Sequence, residues 1–234
     1  AQAWLAYRAE RPEIADSALN QALVVRPGWE KVAMMRLSYL NQSDNRKQLT
    51  DYVETFLRNY PDSGELRITW ARLLAEWDEF GKALTQFTKL IEQDPENKEA
   101  VYAAAVLNME LGNDPMATRM FVRYLELDPE HDQSRLFLAR IAAGQDRFDD
   151  ALSWLSAVTS AEHIFDAQLR AAFVLADAKR ADEALAHLIQ MVPDSVPEQV
   201  RIYLAQERIL RQSEGLEAAL ELLDAALIDV PGHG

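Results

Sequence analysis

Apolar residues return along this chain at helical spacing. Ala83, Phe87, Leu90 and Ile91 stand at offsets 0, 4, 7 and 8, one stripe of a helix. The same offsets recur in Ala15, Leu19, Ala22, Leu23; in Leu49, Val53, Phe56, Leu57; and in Ala117, Phe121, Tyr124, Leu125. They continue in Ala151, Leu155, Val158; in Ala184, Leu188, Met191, Val192; and in Ala219, Leu223, Ala226, Leu227. Seven copies of one helix are thereby expected. Twelve residues ahead of the stripe lies another small residue, seen in Ala71, Ala105, Ala139 and Ala172. It marks a second helix in each copy, such as "GELRITWARLLAEW", and two helices approach closely only where side chains are short. Turns are predicted at "WDEFGKAL", "LGNDPMAT" and "GQDRFDDAL". The pattern predicts an all-α chain of about thirteen or fourteen helices and no strand.

Proline supplies the period. Pro27, Pro61, Pro95 and Pro129 stand 34 residues apart; the next step falls on His163, and the two after it on Pro197 and Pro231. "LIEQDPENKEA" is nearly repeated 34 residues later as "YLELDPEHDQS". Proline ends the preceding helix and is expected to open the next, with Asp and Glu at that helix's positive end. Repeats are expected at 1–29, 30–63, 64–97, 98–131, 132–165, 166–199 and 200–233. One repeat cannot bury its stripe alone, so neighbours must stack. Part of the first repeat's first helix is missing, and no polar capping helix follows Pro231. The expectation is a piece of a longer array, or one that stacks on a partner. Two places break the rhythm: "TSAEHIF" lacks the proline, and "QMVPDSVPEQV" brings Pro193 early, which should shorten the sixth repeat's second helix.

A 34-residue helix–turn–helix unit of this kind resembles the tetratricopeptide repeat family over essentially the whole chain. The matches are the small residue at position 8 (Ala71, Ala105, Ala139, Ala172), Phe80 and Phe148 at position 17, Ala at 20, Phe87 and Phe121 at 24, and Pro at 32. Departures exist. Position 4, often Trp in the family, is Arg67, Val101, Arg135 and Gln168; Leu49 replaces a small residue in the second repeat; Glu207 is placed at position 8 of the seventh. The resemblance implies a single right-handed α-solenoid over 1–234, whose first helices line a concave face through positions 2, 5, 9, 12 and 13. Position 5 then reads Met34, Ile68, Tyr102, Leu136, Leu169, Leu204, and position 9 reads Ser38, Arg72, Val106, Arg140, Phe173, Arg208. The position-5 stripe is either core between repeats or an apolar track for a partner's helix or extended segment. On the second reading Arg72, Tyr102, Val106, Met109, Arg140 and Phe173 are its contact residues. The carboxylate clamp of some family members needs Lys at position 5 and Asn at position 9 of one repeat. Met34 with Ser38, and Ile68 with Arg72, do not supply it.

Composition narrows the chemistry. The 234 residues carry a net charge of −14, which repels phosphate backbones and anionic membrane surfaces. Against that background Arg201, Arg208 and Arg211 make a local positive patch, either solvated charge or a contact for an anionic peptide. There is no cysteine, which excludes disulfides and Cys-based metal sites. His131, His163, His187 and His233 lack metal-ligand spacing on a helix face. Phosphate-binding glycine loops and HExxH are missing, and Ser153 and Ser156 have no nucleophile-elbow motif. No catalytic residue, metal or cofactor is expected, nor a buried, charge-coupled His. The longest clean apolar run, "AVYAAAVL", is far short of the roughly 20 residues of a membrane span. "AQAWLAYR" at the start has no initiator Met or signal-like stretch, as in a processed or excised chain. The expected function is a non-enzymatic scaffold that binds another protein or peptide in its groove. The layout is similar to bacterial scaffolds, among them periplasmic lipoproteins that bring a protease to substrates or assist envelope assembly, so periplasm is favoured over cytoplasm. The recognition arm of a larger enzyme or secretion complex, and a self-associating module, stay open as alternatives.

Overall fold

In the computed structural model, which describes residues 12–42 and 45–229, each stripe becomes a helix and no strand occurs among those residues. Helices α1 (Pro12–Val25), α2 (Glu30–Gln42), α3 (Arg46–Asn59), α4 (Gly64–Glu76), α5 (Phe80–Gln93) and α6 (Lys98–Glu110) lead to α7 (Asp114–Leu127). Then come α8 (Asp132–Gly144), α9 (Phe148–Ser156), α10 (Ile164–Asp177), α11 (Ala181–Gln190), α12 (Val196–Ser213) and α13 (Leu216–Asp229). The expectations drawn from the first eleven residues, and from Pro231 and His233, lie outside the described residues.

The chain divides into two compact units, Ala1–Met120 and Phe121–Gly234, with the division inside α7. In the first, Leu37, Leu49, Val53, Leu66, Trp70, Ala71, Ala83 and Phe87 are buried in one core. α4 packs on α5, α5 on α6, and the neighbouring first helices α2 and α4 on each other. The second unit holds two core clusters. Leu136, Ala139, Ala151, Leu155 and Ala167 form one; Leu169, Ala172, Leu188, Ile202 and Ile209 form the other. Each fully buried Leu or Phe contributes about 1.5–3 kcal/mol, so the stripes supply the driving force in both units.

The turn inside four of the repeats has one backbone solution. Asp78, Gly112, Asp146 and Lys179, all at repeat position 15, take φ of 60°, 70°, 57° and 64°. The amide after each donates back across the helix end: Glu79 N to Leu74 O (2.8 Å), Asn113 N to Asn108 O (2.8 Å), Arg147 N to Ala142 O (2.9 Å) and Arg180 N to Leu175 O (2.9 Å). This is the Schellman arrangement, which satisfies carbonyls the helix leaves open.

The junction between repeats differs from expectation. Pro61, Pro95 and Pro129 lie in turns, and the following helices begin only at Gly64, Lys98 and Asp132. The N-cap is a later residue: Asn97 accepts from Ala100 N at 2.9 Å, and His131 from Ser134 N at 3.2 Å. A side-chain acceptor caps better than proline's bare geometry, so proline is left to end one helix. At α12 proline serves as expected, with Pro197 in the first turn behind the N-cap Ser195.

Arginine takes over at position 4 in two repeats. Arg67 and Arg135 are both folded inward, and each donates through Nη2 to a proline carbonyl six residues back, Pro61 O at 2.7 Å and Pro129 O. The long side chain thus ties the start of a repeat to the turn before it.

Both rhythm breaks shorten a helix. α11 has 10 residues and α9 has 9, against 14 in α5 and α7. Val158 and Met191 stay buried although their helices have ended. Val192, expected in the stripe, is 83% exposed, because the chain turns extended at Met191 ahead of Pro193. The connection after α9 is held by a carboxylate: Asp132, at the start of α8, accepts from Thr159 N (3.2 Å) and Ser160 N (2.8 Å). In the seventh repeat the expected register is off by one. α12 starts at Val196 and buries Ile202, Ala205, Gln206 and Ile209, so Gln206, not Glu207, occupies position 8. The absence of a small residue there removed the sequence marker.

Candidate functional site

Within the first unit, α6 buries Val101, Ala104, Ala105 and Asn108. The helix period then turns Tyr102, Val106 and Met109 to the other face, where all three are half-buried. Burial raises the pKa of the Tyr102 hydroxyl, so it stays neutral and available as a hydrogen-bonding group. Arg72, on α4, is exposed but engaged: its guanidinium meets Glu99 of α6 at 2.6 Å, an ion pair between adjacent repeats. Such an exposed pair stabilises little and exchanges easily for a better acceptor.

The second unit holds a cleft of ≈ 180 Å³ between α8 and α10, lined by Leu136, Arg140, Ala143, Arg170, Phe173 and Asp177. Arg140 and Phe173, both expected at position 9, are brought together there. Arg140 also lies over the Phe137 ring at 5.4 Å. Phe173 is covered from α12 by Arg208, 5.0 Å from the ring centroid. Arg170 and Asp177 were not singled out from sequence; Asp177 stands at position 13 of its repeat, which is where the signal lay.

Charge on α12 is compensated. Arg201 pairs with Asp166 at 2.6 Å and stacks over Phe165 at 5.0 Å, and Arg211 pairs with Glu207 at 3.2 Å. The three guanidiniums therefore do not form a bare positive patch; Arg208 alone of them lacks a carboxylate among the described residues. The position-5 stripe divides between its two readings. Leu136 and Leu169 are core, Met34, Ile68 and Tyr102 are half-buried, and Leu204 is exposed because the register of α12 is displaced.

One histidine departs from expectation. His131 is half-buried, with its ring edge-on to Tyr124 at 4.9 Å. Burial lowers its pKa against the opposing pull of Asp128 and Asp132, so it is coupled to charge after all. Its Nδ1 caps α8, a structural employment. Among the described residues no group of three or more His, Asp or Glu could hold a metal ion, and no helix is long and apolar enough to cross a membrane.

Comparison with known proteins agrees with the geometry. A family model for the tetratricopeptide repeat matches residues 68–118 and 116–167. The DnaJ homolog subfamily C member 7 homolog of Dictyostelium discoideum is 27% identical over 97 residues, which is 42% of this chain and 18% of that protein. Solved structures share the fold. A chain of Naa15/Naa10 bound to HypK-THB superposes with a TM-score of 0.68 at 16% identity, over 99% of this chain and 36% of its own. YrrB, a TPR protein with an unusual peptide-binding site, gives 0.57 at 24% identity over 77% and 93%. MamA gives 0.59 at 17% identity over 70% and 90%. The chain thus spans 18% and 36% of the first two relatives. Over residues 68–167 the chain matches the tetratricopeptide repeat model, the apolar stripe and the 34-residue period of that repeat continue on either side, and its turn recurs beyond the match at Lys179.

Proposed function

We propose that this chain is a non-catalytic scaffold that holds a partner protein or peptide on the exposed side of its first helices. The observation that carries the reading is the α8–α10 cleft. It combines an apolar floor, Leu136 and Phe173, with a guanidinium on each side, Arg140 and Arg170. Aromatic and Arg side chains around a desolvated pocket are the usual anchors of an interface. Tyr102, Val106 and Met109 offer a second apolar strip on α6. That YrrB is described as having a peptide-binding site supports the reading. The compensated charge on α12 favours a partner segment that is apolar first and acidic second.

A bacterial envelope role, in assembly or as a protease adaptor in the periplasm, is the finer proposal, and it asks that the native chain fractionate with the envelope. The partner is to be identified by affinity capture with the native full-length protein, then titrated against purified variants. Phe173→Ala and Arg140→Ala should each weaken binding while the circular dichroism and melting curve hold. Wild-type affinity in both would move the partner off this face.

A further inference from the structure

Arg67 and Arg135 occupy the same place two repeats apart, and both grip the proline carbonyl before them. Their remaining partners differ. Arg135 also meets the carboxylate of Asp132, three residues earlier at the first position of α8. The residue three before Arg67, first in α4, is Gly64. Among the described residues no carboxylate forms an ion pair with Arg67; burial lowers its pKa, and the nearby charge of Asp62 opposes this only in part. Arg67 Nη1 has only the neutral amide oxygen of Gln86 at 2.9 Å, its buried Nε has no hydrogen-bond partner, and no ion pair reaches it. Arg67, a residue only 3% exposed, is thus left without an ion-pair partner among the described residues, a costly condition that an incoming anion relieves.

Arg67 does not lie in a sealed core. It lines a cleft of ≈ 610 Å³ between α3 and α5, together with Arg58 and Lys89. Among the described residues neither of these two makes an ion pair either, so three cations without an ion pair meet here in a chain of net charge −14. Glu54 and Glu92 share the lining without pairing to any of the three. Planar guanidinium takes a carboxylate in a fork, and that geometry is what Asp132 already supplies to Arg135. We propose that this second-helix cleft, separate from the first-helix surfaces above, binds an acidic peptide segment, one of whose carboxylates takes the place at Arg67 that Gly64 leaves empty. Gln86 swings aside as the carboxylate arrives, and Arg58 and Lys89 receive the flanking acidic residues.

The chain offers its own competitive control. Gly64 has no positive φ, and a Cβ there meets only Leu90 at 3.9 Å, so Gly64→Asp fits and supplies the internal carboxylate. The probe is acetylated hexaglutamate, with hexaglutamine and succinate as comparisons, followed by calorimetry and by the Arg67 Nε–H resonance in NMR. Hexaglutamate should bind wild type and shift that resonance; hexaglutamine should not. Gly64→Asp should weaken hexaglutamate binding by about tenfold or more, while Gly64→Asn and Phe173→Ala retain it. The proposal is overturned by an unmoved Arg67 resonance, by equal affinity in the Asp and Asn variants, or by a loss confined to Phe173→Ala, which would assign the peptide to the first-helix face. Succinate binding as tightly as hexaglutamate at matched carboxylate concentration would also overturn it, in favour of small dicarboxylates.

Discussion

Replacing Asp132 by Asn tests how the fifth repeat survives without its proline. The carboxylate is buried, and it accepts from two consecutive amides, Thr159 N and Ser160 N, while pairing with Arg135. Burial pushes its pKa up, but Ser160, Thr159 and Arg135 outweigh that and bring it from 3.8 down to about 2. At about 1.4 kcal/mol per unit, that depression is worth about 2 kcal/mol of folding stability at neutral pH. The sign follows from the lowered folded value. The contribution is complete above the unfolded value of 3.8 and is lost as pH falls from there towards about 2. Asn keeps one acceptor oxygen but no charge, and it leaves Arg135, whose side chain is 17% exposed, without a counter-ion. Urea unfolding at pH 7 should therefore show the variant less stable by about 2–4 kcal/mol, and the gap should narrow by about 1–2 kcal/mol when both proteins are unfolded near pH 2.5. Hydrogen exchange in wild type should report slowed amides at Thr159 and Ser160 that become fast in the variant. A variant as stable as wild type at pH 7, or a gap indifferent to pH, would refute the account of how this junction is held.

Other expectations concern packing, turns and binding. Ala105→Leu and Ala139→Leu overfill buried helix contacts and should each cost about 1–3 kcal/mol in urea unfolding. Gly112→Ala forces a side chain into the left-handed region where nothing lies within 4 Å to compensate, so about 1–2 kcal/mol should be lost with the fold intact. Against the identified partner, Tyr102→Ala or Phe173→Ala should weaken affinity by about 2 kcal/mol, read by calorimetry. Arg208→Glu removes the cation covering Phe173 and should chiefly slow association and flatten its salt dependence in stopped-flow measurements.

The architecture was legible because its cause repeats. One stripe of apolar residues, one close helix contact and one chain break per 34 residues are each imposed by packing, and each leaves a residue type behind. Legibility failed where the chain solved a problem with an unmarked residue. Gln206 fills a place that Ala fills elsewhere, so the register of α12 could not be read from composition. Proline marked the junction, yet the cap was set by Asn97 and His131, whose side chains act locally and without period. Arg67 and Arg135 stood out from sequence only as departures from an expected Trp; their shared bond to a proline carbonyl is a three-dimensional fact. The surface residues fared similarly. Periodicity put Arg140 and Phe173 on one face, but it could not foresee that Arg201 and Arg211 would find Asp166 and Glu207.

The left-handed residue at position 15 has a consequence for how such a sequence can change. What that turn demands is a sign of φ, and Asp78, Gly112, Asp146 and Lys179 all meet it. Asp78, Asp146 and Lys179 keep their side chains in solvent. Selection on the backbone therefore leaves the charge at this position open, and one substitution inverts it without disturbing a stripe, a helix contact or a junction. The left-handed strain there costs a non-glycine residue roughly 1–2 kcal/mol, less for Asp, whose short side chain can hydrogen-bond locally, than for Lys. Mutational drift at these sites can retune the protein's long-range electrostatic field one repeat at a time while every buried contact stays as it is.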